Sequence, residues 1–348
     1  MSPASRRAAP ALAVALFVVG CLCAIASSLI AKPVDVLEGP IRARVSVIPI
    51  NFDRDAPGLK VFGKLTYRGG LNLFARSRHF GGFSGIALDA SGTTLLAVTD
   101  AGAWMRATLD YDGRWLKGMN DVTLGPILGQ DGKPLKADAE RDAEGLALTV
   151  GDTNTGAAFV SFEGKHRILR YPFTRERFGP PNGVVKLPKE ASAMDANQGL
   201  EAIALIRGGR LKGTVVAFSE RLKDANGNLR GWLIGGPAAG TITLRRLGGF
   251  DITDAAGLPD GGLVLLERRF RYSEGVKMRI RRITAGELKP GKLIEGEVLL
   301  EATDRLNIDN MEGIAVHRSR TGETILTLMS DDNFSPLQRS LIMQFALP

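Results

Sequence analysis

The chain has 348 residues and a formal net charge of +8, with 45 basic and 37 acidic side chains interspersed along it. Its two cysteines, Cys21 and Cys23, lie in an apolar segment near the start, which excludes disulfides, thiolate nucleophiles and cysteine metal sites from the remainder. A weakly basic surface suits small anionic molecules, and the basic residues are not interleaved with aromatic ones, which argues against nucleic acid as a partner.

Residues 1–31 form a predicted export or anchor segment. Arg6-Arg7 precede an uncharged and largely apolar stretch over 8–31, which is the layout of an export signal. Three outcomes remain open: cleavage after Ala24-Ile25-Ala26, lipidation at Cys21, or retention as an anchor, since a span needs roughly 20 residues. We therefore expect a periplasmic or secreted protein whose membrane contact is limited to this segment.

Residues 32–348 form one predicted domain, and we expect the protein to be a monomer. A short motif recurs five times along this domain. Each copy opens an apolar segment with an acidic or small residue, and a carboxylate closes the next apolar segment. The copies open at Ser84, Glu144, Glu201, Ala256 and Glu312 and close at Asp100, Glu163, Glu220, Glu267 and Asp331. Successive copies start 55 to 60 residues apart, which is the size of a propeller blade.

Each copy predicts a β-hairpin. In the second copy, apolar segments 145–149 and 157–162 flank a segment rich in Gly, Asp, Asn and Thr. In an antiparallel hairpin, the start of the first strand and the end of the second lie at the same edge. We therefore expect Glu144 beside Glu163, and a ring of such carboxylates on one face.

The predicted fold is an all-β propeller with five blades by motif count. The last copy lacks an outer strand, which residues 44–48 or 64–67 could supply, and closure of this kind removes free strand edges. A sixth, degenerate blade built from residues 41–83 is the alternative.

The carboxylate ring is the first candidate site. Acidic groups brought close together repel one another unless a cation binds, and Ca²⁺ prefers oxygen ligands. The predicted calcium ligands are Glu144, Glu201, Glu312, Asp331, Asp100, Glu163 and Glu220. The densest predicted set joins residues 309–312 to 331–333. Alternatively, each carboxylate accepts backbone hydrogen bonds between blades.

Cationic residues follow the closing carboxylates. His166 is the histidine nearest the predicted face and is the candidate general acid or base. Arg221 and Arg268 are candidates for holding an anionic group, because the guanidinium fork matches phosphate and carboxylate oxygens. Ion pairing with neighbouring acids, such as Arg221 with Glu220, is the alternative.

At these residues the chain resembles the phytase-like domain family, described as having esterase-like activity of phytase. The resemblance extends roughly over residues 80–347. The residues that carry it, in order, are Gly82–Ile86 with Thr99–Gly102, Asp142–Leu146 with Ser161–Gly164, Asn197–Glu201 with Ser219–Arg221, Leu265–Arg268, and Asp309–Gly313 with Ser330–Phe334.

The resemblance implies a propeller in an exported bacterial protein and points to phosphoester or ester hydrolysis. The family is similar to calcium-dependent propeller phytases and to lactonase propellers, both usually six-bladed. Ala256, Gln198 and Asp332 depart from the family pattern.

The resulting interpretation is an exported, cation-dependent hydrolase of phosphoesters or related esters. Two alternatives remain open. One is a non-catalytic propeller that binds an envelope ligand or a partner protein, and the other is a lactonase-like propeller.

Overall fold

The computed structural model describes residues 35–195 and 199–348, so the predicted export segment and Asn197 and Gln198 of the third motif lie outside the described residues. The described chain is almost entirely β-structure. Its helical elements are α1 (Asp138–Arg141) and a 3₁₀ turn (Lys189–Ala193). No helix in these two ranges is both long and apolar enough to cross a membrane.

The first three sheets follow the chain in order, and each is a blade. Blade one contains β1 (Ile41–Arg42), β5 (Phe83–Leu88), β6 (Thr94–Thr99), β7 (Ala103–Asp112) and β8 (Trp115–Pro126), paired in the order β5-β6-β7-β8-β1. Blade two contains β9 (Ala143–Gly151), β10 (Thr155–Phe162), β11 (Arg167–Thr174) and β12 (Gly183–Val185), paired in chain order. Blade three contains β13 (Ala202–Leu205), β14 (Val215–Lys223), β15 (Leu229–Ile234), β16 (Gly240–Leu244) and β20 (Leu293–Ile294), also paired in chain order.

The last two sheets complete the set, and the fifth combines both ends of the described chain. Blade four contains β17 (Asp251–Gly257), β18 (Leu263–Arg271), β19 (Gly275–Ile283) and β21 (Glu297–Thr303), paired in chain order. Blade five contains β2 (Val45–Ile50), β3 (Val61–Phe62), β4 (Leu65–Ala75), β22 (Met311–Arg318), β23 (Thr324–Ser330) and β24 (Ser340–Leu347). Its pairing order is β22-β23-β24-β4-β2, and β3 pairs with β4.

The inner strands close the five blades into a circle. Strand β5 contacts β9, β9 contacts β13, β13 contacts β17, β17 contacts β22, and β22 returns to β5. The predicted β-propeller with five blades is therefore confirmed.

The circle is closed by strands from the start of the described chain. Strand β4 pairs with β24, with Leu73 opposite Ser340, and β2 pairs with β4, with Val45 opposite Ala75. Both segments predicted as the missing outer strand are used here. The alternative of a sixth blade is wrong, because residues 41–83 supply β1 to blade one and β2, β3 and β4 to blade five, and then enter β5.

Buried apolar side chains fill the spaces between neighbouring blades. Between blades one and two, the rings of Trp104 and Phe178 stack with their centroids 5.7 Å apart. Small and branched residues of the inner strands line the central channel, where the cavity is only about 40 Å³. This part of the channel therefore leaves little space along the axis.

A candidate cation and anion site at the mouth of the propeller

The hairpins bring the motif carboxylates to one end of the propeller. We call this end the mouth; it is formed by the starts of the inner strands β5, β9, β13, β17 and β22 and by the ends of the strands paired with them. In four blades the backbone N–H of the closing carboxylate donates to the carbonyl two residues before the opening residue. These closing residues are Asp100, Glu163, Glu220 and Asp331, with N–O distances of 2.8 to 3.0 Å.

A β-bulge lies at the opening residue of several blades. In blade two, Ala143 is opposite Phe162, but the next pair is Leu146 with Val160, so Glu144 falls in the irregularity. A register shift also follows the first pair of blades one and five, and the second pair, Ile252 with Glu267, of blade four. Bulges interrupt the strict alternation of side chains and re-aim a residue, which suits a side chain that must face the mouth.

The strand register of blade four corrects the sequence-based motif. Ile252 is opposite Glu267, as Met311 is opposite Ser330 in blade five. The opening position of blade four is therefore Thr253, and the closing position is Arg268. The assignment of Ala256 and Glu267 to these positions is wrong, because the location of the bulge sets the register and leaves no mark in the hydrophobic pattern.

Asp254, next to Thr253, joins blade four to blade five. It is fully buried, and its carboxylate accepts the backbone N–H groups of Ala255 and of Ile314 at 2.8 Å each. Burial raises the pKa of Asp254 well above its usual range, while these two hydrogen bonds act in the opposite direction. Sequence reasoning missed this residue, which stands where blades one, two and five have a glycine.

The acids at the mouth are close enough to repel one another. Burial, followed by repulsion from Asp142 and Asp100, raises the pKa of Glu144 well above its usual range. Burial and the charge of Glu144 have the same effect on the pKa of Glu201. Burial and the charge of Asp100 likewise raise the pKa of Asp331. Carboxylates from blades one, two, three and five therefore face a common space.

The tightest group at the mouth belongs to blade two. One carboxylate oxygen from each of Asp142, Glu144 and Glu163 lies within 4.8 Å of the others. Glu163 also accepts the backbone N–H of Gly199 at 2.8 Å, which fixes one of its oxygens. Glu144 and Glu163 were predicted as ligands, and Asp142 was missed. The signal that could have found Asp142 is its position one residue before the strand that carries Glu144.

Arg268 brings a positive charge into the mouth from blade four. Its Nη1 donates to the side chain of Asn310 and lies 3.2 Å from Glu312 Oε1, and about a third of its side chain (32 %) is exposed. Burial opposes its charge most strongly, yet Glu312 and Glu201, together with Glu220 and Asp331, raise its pKa overall. The mouth therefore has an acidic side at blade two and a side at blades three to five that contains an arginine.

Glu267 points away from the mouth into the interior of blade four. It is fully buried and forms an ion pair with Arg281, which is also fully buried. Arg281 Nη1 donates in addition to the carbonyls of Arg245 and Glu295 at 2.9 and 2.8 Å. Burial raises the pKa of Glu267, while Arg281 opposes the shift.

The remaining predicted site residues lie near the rim. Arg221 Nη2 is 3.3 Å from Glu220 Oε1, and Arg221 Nε is 3.6 Å from Asp251 Oδ2, so the ion pair considered as its alternative is present. His166 Nε2 is 2.9 Å from the carbonyl oxygen of Asp195. The charge of His166 also acts on Glu163, which places the imidazole beside the acidic side of the mouth.

Only part of the oxygen-rich cluster predicted in blade five faces the mouth. Glu312 and Asp331 face the mouth, as their mutual repulsion indicates. Asp332 instead accepts hydrogen bonds from backbone N–H groups and from Ser340 Oγ at 2.7 Å. Asp309 pairs with Arg339 at 3.1 Å. The predicted convergence of four carboxylates here is therefore wrong for Asp332 and Asp309, which stabilise the loop between β23 and β24.

Fold and site together define a closed five-bladed propeller with an acidic mouth. Comparison with known protein families identifies the chain further: the phytase-like family, described as having esterase-like activity of phytase, matches residues 78–334, and the chain belongs to this family. No curated protein matches the chain.

A solved structure is also similar to the chain, the β-propeller domain of Cps50 (Swd1) from Myceliophteria thermophila. The two share 10% sequence identity with a TM-score of 0.37, over 88% of this chain and 100% of that domain.

Proposed function

We propose that this protein is an exported, cation-dependent hydrolase of phosphoesters or related esters. The observation that carries the proposal is the convergence of carboxylates from four blades, with Arg268 beside them, at the open end of a narrow channel. Membership of the phytase-like family supports a hydrolase of the propeller type. Acids that repel one another in this way are poised for a cation and a polar substrate.

The residues of the mouth fit a hard divalent cation. Asp142, Glu144 and Glu163 offer three carboxylate oxygens in one small space, and Ca²⁺ prefers ligands of this kind. We propose calcium at this position, with Glu201 as a further ligand. The other acids of the mouth, Asp100, Glu220, Glu312 and Asp331, complete the negative field around it. A bound divalent cation polarises a phosphoryl or carbonyl oxygen and lowers the pKa of a water molecule.

The arginines would orient the anionic part of a substrate. Arg268 remains partly exposed at the mouth, so its guanidinium can donate to phosphate oxygens while Glu312 and Asn310 hold its position. Arg221 lies on the neighbouring blade and is 43% exposed. Both side chains are held by acids before a substrate arrives, which lowers the entropic cost of binding.

Proton transfer requires a group that titrates near neutral pH. Burial raises the pKa of Glu220 to about 7, although the neighbouring Arg221 opposes this shift. A carboxyl group with such a pKa can accept or release a proton at pH 7. Glu220 is therefore a candidate general acid or base, whereas the sequence had indicated only His166.

The test is hydrolysis by the purified protein with and without a chelator. We expect turnover of p-nitrophenyl phosphate, or of p-nitrophenyl acetate, to disappear in EDTA and to return when Ca²⁺ is added in excess. Unchanged hydrolysis in EDTA would refute the role of the cation. Preferential turnover of a lactone would instead identify the lactonase-like alternative.

A non-catalytic propeller is the second candidate. It is favoured by the ion pairs of Arg221 with Glu220 and of Arg268 with Glu312, because arginines paired in this way also suit a static ligand-binding surface. No turnover of any ester, together with calorimetric binding of an anionic ligand at the mouth, would support this candidate against hydrolysis.

Export is part of the proposal and depends on residues 1–31. Arg6-Arg7 followed by the apolar stretch 8–31 supports it. Fusion of this segment to alkaline phosphatase, an enzyme active only outside the cytoplasm, tests it. Active phosphatase is expected, and an inactive cytoplasmic fusion would contradict export.

A further inference from the structure

We propose a second binding site, for a small uncharged polyhydroxylated molecule such as a saccharide, at the end of the propeller opposite the mouth. The site is a cleft of about 470 Å³ between blades one and five. Its walls come from the turns that join β5 to β6, β7 to β8 and β22 to β23. Clefts of roughly 300–1,000 Å³ are typical of small-molecule sites. This proposal is independent of the hydrolase function proposed for the mouth.

A buried histidine in the wall lacks a hydrogen-bond partner. His317 is only 6% exposed, and its Nδ1 has no partner among the described residues. The Nε2 edge of the ring packs closely on Gly92, where an added Cβ atom would lie 2.1 Å from Nε2. Burial lowers the pKa of His317 to about 4, so the imidazole is neutral at pH 7. A buried polar atom without a partner is unfavourable, so a ligand that supplies one is favoured.

The floor of the cleft is rigid and polar. Gln344 is 1% exposed, and its Nε2 donates to Tyr111 Oη at 2.8 Å and to Thr327 Oγ1 at 3.0 Å. Tyr111 Oη in turn donates to the carbonyl of Gly92 at 2.7 Å. These bonds fix the side chains that a ligand would meet, and preorganised groups of this kind bind at a lower entropic cost.

The charges in the wall favour an uncharged ligand. Glu323 forms an ion pair with Arg68 and lies 3.7 Å from Arg114, and Asp110 accepts a hydrogen bond from Asn120. The four charged side chains of the wall, Asp110, Glu323, Arg114 and Arg320, are two acids and two bases, so their formal charges cancel.

Hydroxyl groups and two apolar side chains complete the wall. The hydroxyls belong to Ser91, Thr93, Thr108, Ser319 and Thr321, and the apolar side chains are Leu109 and Ile325. Many hydroxyl donors and acceptors next to a small apolar surface complement a sugar ring, which presents hydroxyl edges and apolar faces.

Nitrogen NMR of the histidine rings tests the proposal, because the chain has only three histidines. We would titrate the ¹⁵N-histidine-labelled protein with maltose, N-acetylglucosamine and methyl mannoside. The ring signals of His317 are expected to shift and to saturate with at least one sugar. The signals of His79 and His166, which lie at the other end, should stay unchanged.

Two variants locate the site. Thr108→Val keeps the shape of the side chain but removes one hydroxyl, and it should weaken sugar binding about threefold to tenfold. His79→Gln assigns the second histidine and serves as the control with unchanged binding. The proposal is overturned if His317 stays unmoved by all three sugars at their solubility limits, if glucose 6-phosphate binds more tightly than the uncharged sugars, or if Thr108→Val binds like the parent protein.

Discussion

Glu267 and Glu144 are both acids near the mouth of their blades, but their surroundings differ. Glu267 is enclosed with Arg281, which compensates its charge within the fold. Glu144 lies beside Asp142 and Glu163, and their oxygens are within 4.8 Å of its own. Arg281 thus compensates the charge of Glu267, whereas burial and repulsion by Asp142 and Glu163 raise the pKa of Glu144. This repulsion is the physical reason for the proposal that blade two binds a cation.

The largest expected effect is on stability, in blade four. Glu267→Gln leaves the buried Arg281 without its counter-charge, and breaking a buried pair in this way costs about 3–5 kcal/mol. Urea unfolding measures the loss. Glu301→Gln, which removes a 46% exposed partner of Arg279, is the matched control and should cost less than about 1 kcal/mol. An equally small loss for Glu267→Gln would show that its pairing does not stabilise the fold.

The second prediction concerns the pH dependence of stability in calcium-free buffer. Burial raises the pKa of Glu220 from 4.5 to about 7 in the folded protein. Between these pH values the folded state keeps a proton that the unfolded state has released, so stability falls as the pH rises through this window. The full loss, reached above pH 7, is about 3 kcal/mol.

Glu220→Gln should therefore be more stable than the parent protein at pH 8 and about equally stable at pH 4.5. Urea unfolding at several pH values gives both curves, and Glu297→Gln, an exposed site on β21, is the control. Parallel curves for Glu220→Gln and the parent protein would contradict the assigned environment.

The third prediction tests by activity whether Glu144, an acid of the mouth, takes part in the reaction. Glu144→Gln should lower kcat/KM about 100-fold or more. Loss of a residue that only supports a metal ligand costs about 10- to 100-fold, and loss of the ligand itself should cost at least as much. We expect Ca²⁺ to raise the melting temperature of the parent protein, and the same variant should lose this rise. Glu176→Gln, in an exposed loop of blade two, is the control. Full activity in Glu144→Gln would show that the acidic side of the mouth takes no part in the reaction.

The smallest effect is expected at the arginine of the mouth. Arg268→Gln should raise KM about tenfold for an anionic substrate, because charged hydrogen bonds contribute about 1.5–3 kcal/mol. It should also tighten calcium binding, since a positive charge near Glu201 and Glu312 is removed. Steady-state kinetics and calorimetry measure the two effects. An unchanged KM would show that Arg268 does not bind the substrate and only stabilises the fold.

Much of the fold could be predicted from the sequence, because its causes are local and repeated. The period of the motif predicted the number of blades, and hairpin geometry predicted that Glu163 lies next to the start of β9. Even the strands that close the circle were indicated, since the last repeat was one strand short. The count of five follows from these local features, whereas the usual six blades of similar propellers do not apply to this chain.

The site was predicted less completely, because it depends on register and on side-chain partners. Glu267 and Arg268 are adjacent, and only the bulge after Ile252 decides which of them faces the mouth. Asp332 and Asp331 are likewise adjacent, and hydrogen bonds with Gly82 and Ser340 direct Asp332 into a loop. Neither choice leaves a trace in hydrophobic periodicity.

The central claim is that the acids of blade two bind a cation. Calcium titration calorimetry on the chelator-treated protein, supported by metal analysis of the protein as isolated, tests it most directly. We predict saturable binding of at least one Ca²⁺ per chain, strongly weakened in Glu144→Gln and unchanged in Glu176→Gln. No measurable calcium binding by the parent protein, or equal binding by Glu144→Gln, would contradict the claim.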